Sequence, residues 1–554
     1  MPFGGGVRLR NSAQLDLNGF DHTFMAINPG VGSVRLAGAS LTLIGGGSID
    51  EGVIGPGAIA VQLSGLILRG LCSQTSTTVG TTDLTSVTPS VTIDSAAALG
   101  VSGAPITLIN GAQISTFMRS DPIVIDATHN VVLQRGGGFA PNGELRVEGV
   151  VSGFGSLFVR GSSGSVALRN PSNSFTGTIV VDGDGTLRVR HNDVLGAGSN
   201  VIHLGSAFFD GESWRVSGGT LQAETNITLP ATRRIELEGT SQETGNNRLD
   251  SQEFTVTIDG DITESKAGGG LVKMGSGTLL LNGLNSITDE LVVQEGTLGG
   301  TGTVQNVRLQ SHTTLAPGHR IGTFHAANVR WPEDATMAFE LGEGAFSDRL
   351  ELSGALTGDT DTARLFVFSG APVLATYTLI TGAGGGNLST DFEVNDFTFT
   401  GPVGLAGTFS LDNTALKFTV TRLPSGGGDS DGDGLPDDWE ITHFGGLAQT
   451  AEGDPDGDGQ SNALEYAAGT DPDRSASRFT FELLSIEIGG TTLRFAPSQT
   501  NRIYVLEARK DFTSAIWQVV SNARFTPKNG GQWVVDSNVV STQTFYRLQI
   551  NTDP

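Results

Sequence analysis

The sequence predicts an all-β protein, because short apolar stretches, frequent turn residues and internal repetition run through most of the chain. In the first 330 residues, stretches such as 40–43 and 278–281 are separated by Gly, Asn and Asp. Strong helical periodicity is missing from this part of the sequence. Many short strands with turn signals are typical of a β-sandwich, a β-barrel or a β-solenoid, and repetition distinguishes the solenoid from the other two.

Two stretches of the sequence, 155–187 and 270–298, repeat the same pattern. Each carries Gly-spaced strands, an asparagine at 173 or 285, and a closing Gly-Thr-Leu, with one extra residue in the first copy. A single coil of this kind cannot bury its apolar face alone, so neighbouring coils stack. The repetition therefore predicts a parallel β-solenoid with Gly and Asn at its corners.

These segments resemble the autotransporter-associated β-strand repeat of secreted bacterial proteins. The stretches 300–303, 315–318 and 321–324 are similar to the turn that closes the last repeat in that family, although Arg320 and Phe324 stand where smaller or aliphatic residues are usual. The resemblance covers residues 150–350 well and residues 1–150 weakly. It implies a right-handed parallel β-helix in a secreted bacterial protein.

The predicted organisation has four parts. Residues 1–330 form the β-solenoid, residues 331–424 a β-rich cap, residues 425–475 a segment of tandem loops, and residues 476–554 a small β-sandwich. A Gly-rich linker at 425–428 leads into the loops. In the last part, Trp517 and Trp533 are candidates for the hydrophobic centre or for a surface platform, and a strand tryptophan more often belongs to the core.

The most specific motif is an acidic loop that occurs twice near the C-terminus. Residues 429–440 and 454–465 both fit the pattern D-x-[DN]-x-[DN]-G-x5-E. In such a loop, side-chain oxygens at positions 1, 3, 5 and 12, a backbone carbonyl at 7 and a water-mediated ligand at 9 surround one ion. The candidate ligands are Asp429, Asp431, Asp433, Leu435, Asp437 and Glu440 in the first loop, and Asp454, Asp456, Asp458, Gln460, Asn462 and Glu465 in the second.

The predicted ion is Ca²⁺. A set of oxygen ligands favours a hard divalent cation, and the number of ligands favours Ca²⁺ over Mg²⁺. The alternative is a solvated acidic linker. Between Asp429 and Asp473 no Lys or Arg can neutralise the acids, and a linker needs neither the glycine at position 6 nor the glutamate at position 12.

Neither loop is predicted to be a complete EF-hand, because helices are expected only after the loops, at 437–444 and 461–468. Pro424 and a run of glycines precede the first loop, and the weakly patterned stretch 444–453 precedes the second. The loops resemble the compact calcium modules of extracellular proteins, namely thrombospondin type 3 repeats and dockerin modules. Asp471 and Asp473 are available as additional ligands, without a complete third loop.

Composition excludes several classes of protein. The net charge is −25, and no basic patch is present to bind nucleic acid. The single cysteine, Cys72, lies in an apolar stretch and is expected to be a buried hydrophobe rather than a reactive thiol. No apolar run is long enough to form a transmembrane segment. No signal peptide is recognisable at Met1, and one is expected further upstream.

No catalytic motif is recognisable, so an enzyme is the less favoured interpretation. The histidines show no metal-ligand spacing, and the acidic pairs at 182–184 and 359–361 fit Gly-rich or polar turns. A site assembled across coils would leave no trace in the sequence. Two functions remain: a structural or adhesive protein of the bacterial cell surface, with an extracellular polysaccharide or protein as partner, and a carbohydrate-active enzyme or sugar-binding protein with a groove on the β-helix.

Overall fold

The computed structural model describes most of the chain. The described residues are 14–24, 26–31, 33–44, 47–49, 52–62, 65–69, 71–80, 88–118, 121–161, 164–209, 214–239, 247–318, 320–342, 345–358, 363–382, 391–402, 404–423, 429, 431–487, 490–499, 502–510, 517–521, 523–528, 531–537 and 544–552. The predicted linker at 425–428, His319 and the predicted turn at 359–361 lie outside these ranges.

The chain divides into two compact units. The first comprises Met1–Gly370, Thr376–Gly401 and Thr408–Thr419. The second comprises Ala371–Ala375, Pro402–Gly407 and Val420–Pro554. Strands dominate both units, which confirms the predicted all-β class.

The first unit is a β-solenoid of parallel strands stacked in long sheets. As far as the structure describes it, an eleven-stranded sheet holds, in spatial order, Ile27–Val31, Gly47–Ile49, Gly65–Leu68, Ser90–Ile93, Ala112–Thr116, Gly137–Ala140, Leu157–Arg160, Ile179–Asp182, Ile202–Leu204, Ile235–Leu237 and Ile262–Glu264. A second sheet holds His22–Phe24, Ser40–Leu43, Ala58–Val61, Ser76–Val79, Ile106–Ile109, Val131–Gln134 and Val151–Phe154. A third holds Gln14–Asp16, Ser33–Arg35 and Val53–Ile54.

Two more sheets extend the solenoid along the chain. One holds Ile123–Ile125, Glu144–Val147, Ser165–Leu168, Thr186–Val189, Thr220–Ala223, Asn247–Asp250, Leu271–Met274, Glu290–Val293, Thr303–Leu309, Thr323–Trp331, Arg349–Leu352, Thr376–Gly382, Ala415–Arg422 and Ala406–Leu411, with Leu356–Gly358 also beside Thr323–Trp331. The other holds Ile227–Leu229, Thr255–Ile258, Thr278–Leu281, Thr297–Gly300, Thr314–Pro317, Thr336–Glu340, Arg364–Ser369 and Phe397–Thr400. Ser206–Phe209 and Trp214–Ser217 form an antiparallel hairpin, and Ala96–Leu99, Asn192–Leu195 and Val394–Asp396 are 3₁₀ turns.

Alternation of apolar and polar residues explains why these segments stack as strands. In Ser40–Leu43, Leu41 and Leu43 are buried, and the residues between and before them are partly exposed. Leu41 and Leu43 pair in register with Ile59 and Val61 of the next coil. Each coil therefore adds apolar side chains to one continuous core, at the roughly 4.8 Å spacing of hydrogen-bonded strands.

The two aligned repeats have the same arrangement in the structure. Their parallel pairs are Leu157–Arg160 with Ile179–Asp182 and Ser165–Leu168 with Thr186–Val189 in the first copy, and Leu271–Met274 with Glu290–Val293 and Thr278–Leu281 with Thr297–Gly300 in the second. The matched asparagines are both buried. Asn173 Oδ1 accepts the N–H of Val151 at 2.8 Å, and Asn285 Oδ1 accepts that of Ile262 at 3.1 Å. The repeat seen in the sequence is therefore a structural repeat, and the predicted solenoid is confirmed.

One coil of the solenoid encloses the side chain of Lys273, which is fully buried. Its Nζ lies 2.9 Å from Ser251 Oγ and 3.2, 2.5 and 2.7 Å from the carbonyl oxygens of Met274, Gly275 and Gly277. Burial lowers the pKa of Lys273 to about 8. The chain thus supplies its own cation to a cage of four oxygens.

The direction of pairing changes where the solenoid sheet ends. Thr376–Gly382 pairs parallel with Arg349–Leu352 on one side and antiparallel with Ala415–Arg422 on the other. Nearby, an aromatic cluster fills the core with ring centroids 4.5–6.3 Å apart: Phe366, Phe368, Phe397, Phe399, Phe409 and Phe418. Large rings at this end replace the regular aliphatic layers of the preceding coils.

Over its described residues, the second unit contains two short helices and two small antiparallel sheets. The helices are α1, Asp437–Phe444, and α2, Asn462–Ala468. In spatial order, one sheet holds Thr480–Glu487, Gly490–Ala496, Gly531–Asp536 and Arg524–Lys528, and the other holds Gln518–Val519, Arg502–Arg509 and Phe545–Thr552. The core cluster is built on Leu493, Phe495, Leu506 and Val534. Neither Trp517 nor Trp533 belongs to this cluster, so the preferred assignment of these tryptophans to the core is wrong.

The structure also bears on two further predictions, concerning Cys72 and membrane-spanning segments. Cys72 is buried, and burial raises the pKa of its thiol to about 11, as expected for an unreactive apolar position. Among the described residues, no helix combines the length and the apolar character needed to cross a membrane.

Candidate metal centre

Asp429 shapes the first loop by accepting hydrogen bonds from the loop's own backbone. Its Oδ1 accepts the N–H groups of Gly432 at 2.8 Å and Asp433 at 3.0 Å, and its Oδ2 accepts that of Gly434 at 2.8 Å. Gly432 and Gly434 have φ angles of 74° and 94°, which favour glycine. The N–H groups, that of Gly434 first, lower the pKa of Asp429. The loop is therefore curled around an ionised carboxylate.

This curl brings the other predicted ligands of the first loop together. Two overlapping groups of carboxylates have oxygens within 4.8 Å of one another: Asp431 with Asp433 and Glu440, and Asp429 with Asp431 and Asp437. Leu435, expected to offer its carbonyl, is buried, and its N–H donates to Asp433 Oδ1 at 2.9 Å. Five of the six positions predicted from the first motif therefore converge, and the sixth, Leu435, lies between them in the chain.

Glu440, at position 12 of the first loop, is a buried acid without a donor. The residue is fully buried, and neither of its carboxylate oxygens accepts a hydrogen bond. Asp433 Oδ2 is buried and unpartnered as well. Burial raises the pKa of Glu440, and the charges of Asp431 and Asp433 raise it further. Because burial of an unpaired carboxylate is costly, these oxygens suit a cation.

The second loop repeats this geometry around Asp454. Asp454 Oδ1 accepts the N–H groups of Gly457 at 3.0 Å and Asp458 at 3.1 Å, and Oδ2 accepts that of Gly459 at 2.9 Å. The carboxylate oxygens of Asp454, Asp456 and Asp458 lie within 4.8 Å of one another. Asp456 Oδ2 is buried without a hydrogen-bond partner, and burial raises the pKa of this residue. Two loops of one design therefore follow each other in the chain.

Asn462 and Glu465 add further buried oxygens to the second loop. Glu465 is fully buried; its Oε1 accepts the Thr470 hydroxyl at 3.3 Å, and its Oε2 has no partner. Burial, followed by the charge of Asp456, raises the pKa of Glu465 to about 7. Asn462 donates through Nδ2 to the Thr450 carbonyl at 2.8 Å, which leaves its buried Oδ1 unpartnered. Glu465 is not part of the group of three aspartates, although their charges act on it.

The helices lie where the motif predicts them. α1 starts at Asp437 and α2 at Asn462, so each helix follows its loop and carries the glutamate of position 12 on its first turns. Ser461 caps α2 by accepting the Leu464 N–H at 3.4 Å. Residues 445–461 contain no helix, and the second loop therefore lacks the entering helix of an EF-hand.

The second loop is fastened to the small sheets of the same unit. The Gln460 side chain donates to the Phe479 carbonyl at 2.7 Å and accepts the Phe479 N–H at 2.9 Å. Arg478 Nε lies 3.3 Å from Asp458 Oδ2. Arg502 donates to the carbonyl of Ala467, near the end of α2, at 2.9 Å. The motif predicts Gln460 only as a carbonyl ligand, and its second role cannot be inferred from loop spacing.

A third group of ligating side chains is formed by His443, Asp471 and Asp473, whose ligand atoms lie within 4.8 Å of one another. His443 Nδ1 is 3.5 Å from Asp471 Oδ1. The two aspartates close the segment in sequence, but the histidine comes from α1. Only the fold brings the three together, so the sequence offered no signal for His443.

Among the described histidines of the solenoid, His129, His191, His203 and His325 lie beside carboxylates. His203 lies between two glutamates, with Nδ1 3.2 Å from Glu236 Oε2 and Nε2 3.1 Å from Glu238 Oε2. His325 Nδ1 lies 3.2 Å from Glu351 Oε2, beside a surface groove of about 360 Å³. Over the described part of the solenoid, no three metal-ligating side chains converge as they do in the loops.

Comparison with protein-family models and with curated proteins gives no match for this chain. The arguments for function therefore come from the residues and geometry of the loops and the solenoid.

Proposed function

We propose that the two loops each bind one Ca²⁺ ion and that this segment needs the ions to fold fully. The observation that carries the proposal is Glu440, a fully buried carboxylate with two unpartnered oxygens beside Asp431 and Asp433. A hard cation supplies the missing counter-charge, and a glutamate at position 12 can bind it with both oxygens. Ligand binding of this kind contributes its free energy to folding.

The ions would be held by the motif residues of each loop. In the first loop these are Asp429, Asp431, Asp433, Glu440 and the carbonyl of Leu435, with Asp437 at the water-mediated position. In the second loop, the three aspartates, the Gln460 carbonyl, Glu465 and Asn462 have the same roles. Affinities on the order of 10⁻⁴–10⁻³ M, typical of extracellular modules, are expected.

The remainder of the chain suits a structural or adhesive role at the bacterial cell surface. Outward positions of one sheet form a row of small side chains in register, including Thr42, Ala60, Thr78 and Thr107. Such a regular face supports a scaffold that displays other parts of the molecule. The resemblance of the repeats to the autotransporter-associated family, and of the loops to thrombospondin type 3 and dockerin modules, supports a secreted protein.

The alternative, a saccharide site on the solenoid, is favoured by one observation. The groove beside His325 is lined by polar groups that stack in register, Thr303, His325 and Glu351, with Gln305 and Ser353 alongside. Small-ligand pockets are typically concave and contain a small number of polar groups that converge on the ligand. His325→Ala with Glu351→Ala should then abolish saccharide binding in a glycan screen, and an unchanged binding profile would remove the groove from consideration.

Isothermal titration calorimetry of the full chain with CaCl₂ tests the calcium proposal. We expect about two ions per chain at millimolar concentrations. The double variant Glu440→Gln, Glu465→Gln should lose both binding events, because each substitution removes the charged bidentate ligand. MgCl₂ is the control, since its preference for octahedral geometry and retained waters predicts much weaker binding. Absence of heat with millimolar calcium would refute the proposal.

A further inference from the structure

The outer face of the three-stranded sheet in the second unit carries a cluster of one tryptophan and two arginines. In the strand Arg502–Arg509, Tyr504 and Leu506 face the core, so alternation places Glu507 and Arg509 on the opposite face. Glu507 pairs with Val519 and with Arg547 of the neighbouring strands. Continuing this register places Trp517 beside Arg509.

Both arginines stack on the tryptophan. The guanidinium carbon of Arg509 lies 4.4 Å from the Trp517 ring centroid, and that of Arg547 lies 4.7 Å from it. Arg547 Nε also donates to Glu507 Oε2 at 2.6 Å. Stacking fixes the plane of a guanidinium and leaves its donors directed along that plane, where a carboxylate or sulfate binds with two hydrogen bonds. The cluster therefore places two oriented guanidinium groups on an aromatic base.

Charge and surface composition distinguish this module from the rest of the chain. Residues 476–554 contain eight Lys and Arg against six Asp and Glu, whereas the whole chain has 33 against 58. The same outer face exposes Ile503 and Val519 and carries the amide of Gln549. Apolar surface, oriented guanidinium groups and an amide together match a sugar polymer that bears acidic groups.

We propose that the face formed by Arg509, Trp517 and Arg547 binds an acidic polysaccharide, with the two guanidiniums on its carboxylate or sulfate groups and the tryptophan against its sugar rings. This site is separate from the calcium loops and does not depend on their proposed function. The other class of polyanion that this chemistry could attract, an acidic polypeptide, lacks sugar rings for the aromatic surface.

Binding of the full chain to immobilised polymers, measured by biolayer interferometry in calcium-containing buffer, tests this site. The probes are hyaluronate for carboxylates, dextran sulfate for sulfates, dextran as the neutral polymer and polyglutamate as the acidic polypeptide. We expect hyaluronate or dextran sulfate to bind at least about tenfold more tightly than dextran and polyglutamate, with affinity falling as salt rises. Whichever of the two binds more tightly identifies the acidic group.

Arg509→Gln should weaken binding about fivefold, and Arg509→Gln with Arg547→Gln at least about tenfold, because each loses a charged fork. The matched control is Arg494→Gln with Arg524→Gln, which removes two arginines from strands of the other sheet and should change affinity less than about twofold. Trp517→Phe should bind better than Trp517→Ala. Because Arg547 pairs with the buried Glu507, the single Arg509→Gln variant decides the outcome if the double variant fails to fold.

The proposal is overturned if the wild-type chain binds neither acidic polysaccharide, or if the control pair weakens binding as much as the Arg509 and Arg547 pair. Equal or tighter binding of polyglutamate would also overturn it, because it would show general attraction of polyanions. Circular dichroism of each folded variant ensures that lost binding reports the site.

Discussion

Two regions of this protein gather oxygen atoms around a small volume, and they differ in where the positive charge comes from. In the solenoid, Lys273 places its own ammonium among four oxygens. In the second unit, Glu440 and Glu465 are buried beside clustered aspartates, and the loop segment 429–473 contains no Lys or Arg. The solenoid cage is complete without an added ion, whereas under the proposed function the loops take their cation from solution. Stability of the two units should therefore respond differently to the ionic medium.

The largest expected effect follows from removing calcium. If each ion is present at about 100 times its dissociation constant, two ions stabilise the folded unit by roughly 5 kcal/mol. Chelation should therefore lower the unfolding temperature of the second unit, including the small sheets fastened through Gln460 and Phe479. Calorimetric scans with and without chelator measure this directly. A solenoid transition that falls by the same amount would contradict the comparison, because the Lys273 cage already holds its own cation.

The second prediction removes the built-in cation. Lys273→Met should destabilise the solenoid by about 3 kcal/mol, because buried carbonyls and the Ser251 hydroxyl lose their donor. Denaturant unfolding at constant calcium measures the change. Lys417→Met is the control, since Lys417 is partly exposed and pairs with exposed Asp412. An equal loss of stability in both variants would show that the cage makes no special contribution.

Single substitutions at position 12 should sharpen the contrast between the two loops. Glu440→Gln and Glu465→Gln should each weaken one calcium site at least about tenfold, because a charged bidentate ligand becomes neutral. Ser461→Ala should leave affinity nearly unchanged, since this hydroxyl caps α2 and is not a ligand. Calorimetric titration of the three variants compares them. An equal loss of calcium affinity in all three variants would mean that residues of the second loop are assigned to the wrong ligand positions.

The free energy of unfolding of the solenoid should depend on pH because the Lys273 ammonium is buried. The pKa of Lys273 falls from 10.5 to about 8 because of burial, so the unfolded chain binds more protons between these values. Its contribution to stability is full above pH 10.5 and is lost as pH falls through 8. The unfolding free energy of the wild type relative to Lys273→Met should therefore rise by about 1–2 kcal/mol from pH 8 to 10.5. A flat difference would contradict the buried charge.

The smallest expected effect concerns Arg478, whose Nε lies 3.3 Å from the candidate ligand Asp458. Its positive charge competes with a metal for the same carboxylate. Arg478→Gln should therefore tighten calcium binding at the second loop by about twofold to threefold, since the half-exposed guanidinium is screened by solvent although the Asp458 side chain is buried. Arg474→Gln, a charge change outside this contact, is the matched control. Weaker binding in Arg478→Gln alone would mean that the arginine holds the loop open for the ion.

Much of the solenoid could be predicted because its physics is local and periodic. Leu41 and Ile59 are buried at alternating positions, and Asn173 and Asn285 repeat at equivalent corners, so both signals stand in the sequence. The cage around Lys273 could not be predicted. Its oxygens come from a strand end, a turn and the preceding coil, and nothing in the sequence distinguishes this lysine from a solvated one.

For the candidate site, the loop pattern located the carboxylates that converge within the two loops, because turn geometry fixes ligands within twelve residues. The loop pattern could not predict contacts between segments that are distant in the sequence. Gln460 to Phe479, and His443 to Asp471, depend on how helices and sheets pack. For the two tryptophans the sequence favours the core on frequency alone, but the alternation of the folded strands turns Trp517 outward among arginines.

The antiparallel pairing of Thr376–Gly382 with Ala415–Arg422 has a consequence for how the molecule behaves at high concentration. A stack of parallel coils ends in a row of unpaired backbone groups that can accept another parallel coil, and hence another copy of the chain. Here the antiparallel strand Ala415–Arg422, and then Ala406–Leu411, follow the last parallel strand of the sheet, so its edge no longer continues the parallel series. Parallel strands from the solenoid of a second copy would then not match the hydrogen-bonding pattern of this edge. In this sheet the reversal therefore disfavours growth into fibres, whereas the eight-stranded sheet ends in the parallel pair of Arg364–Ser369 with Phe397–Thr400.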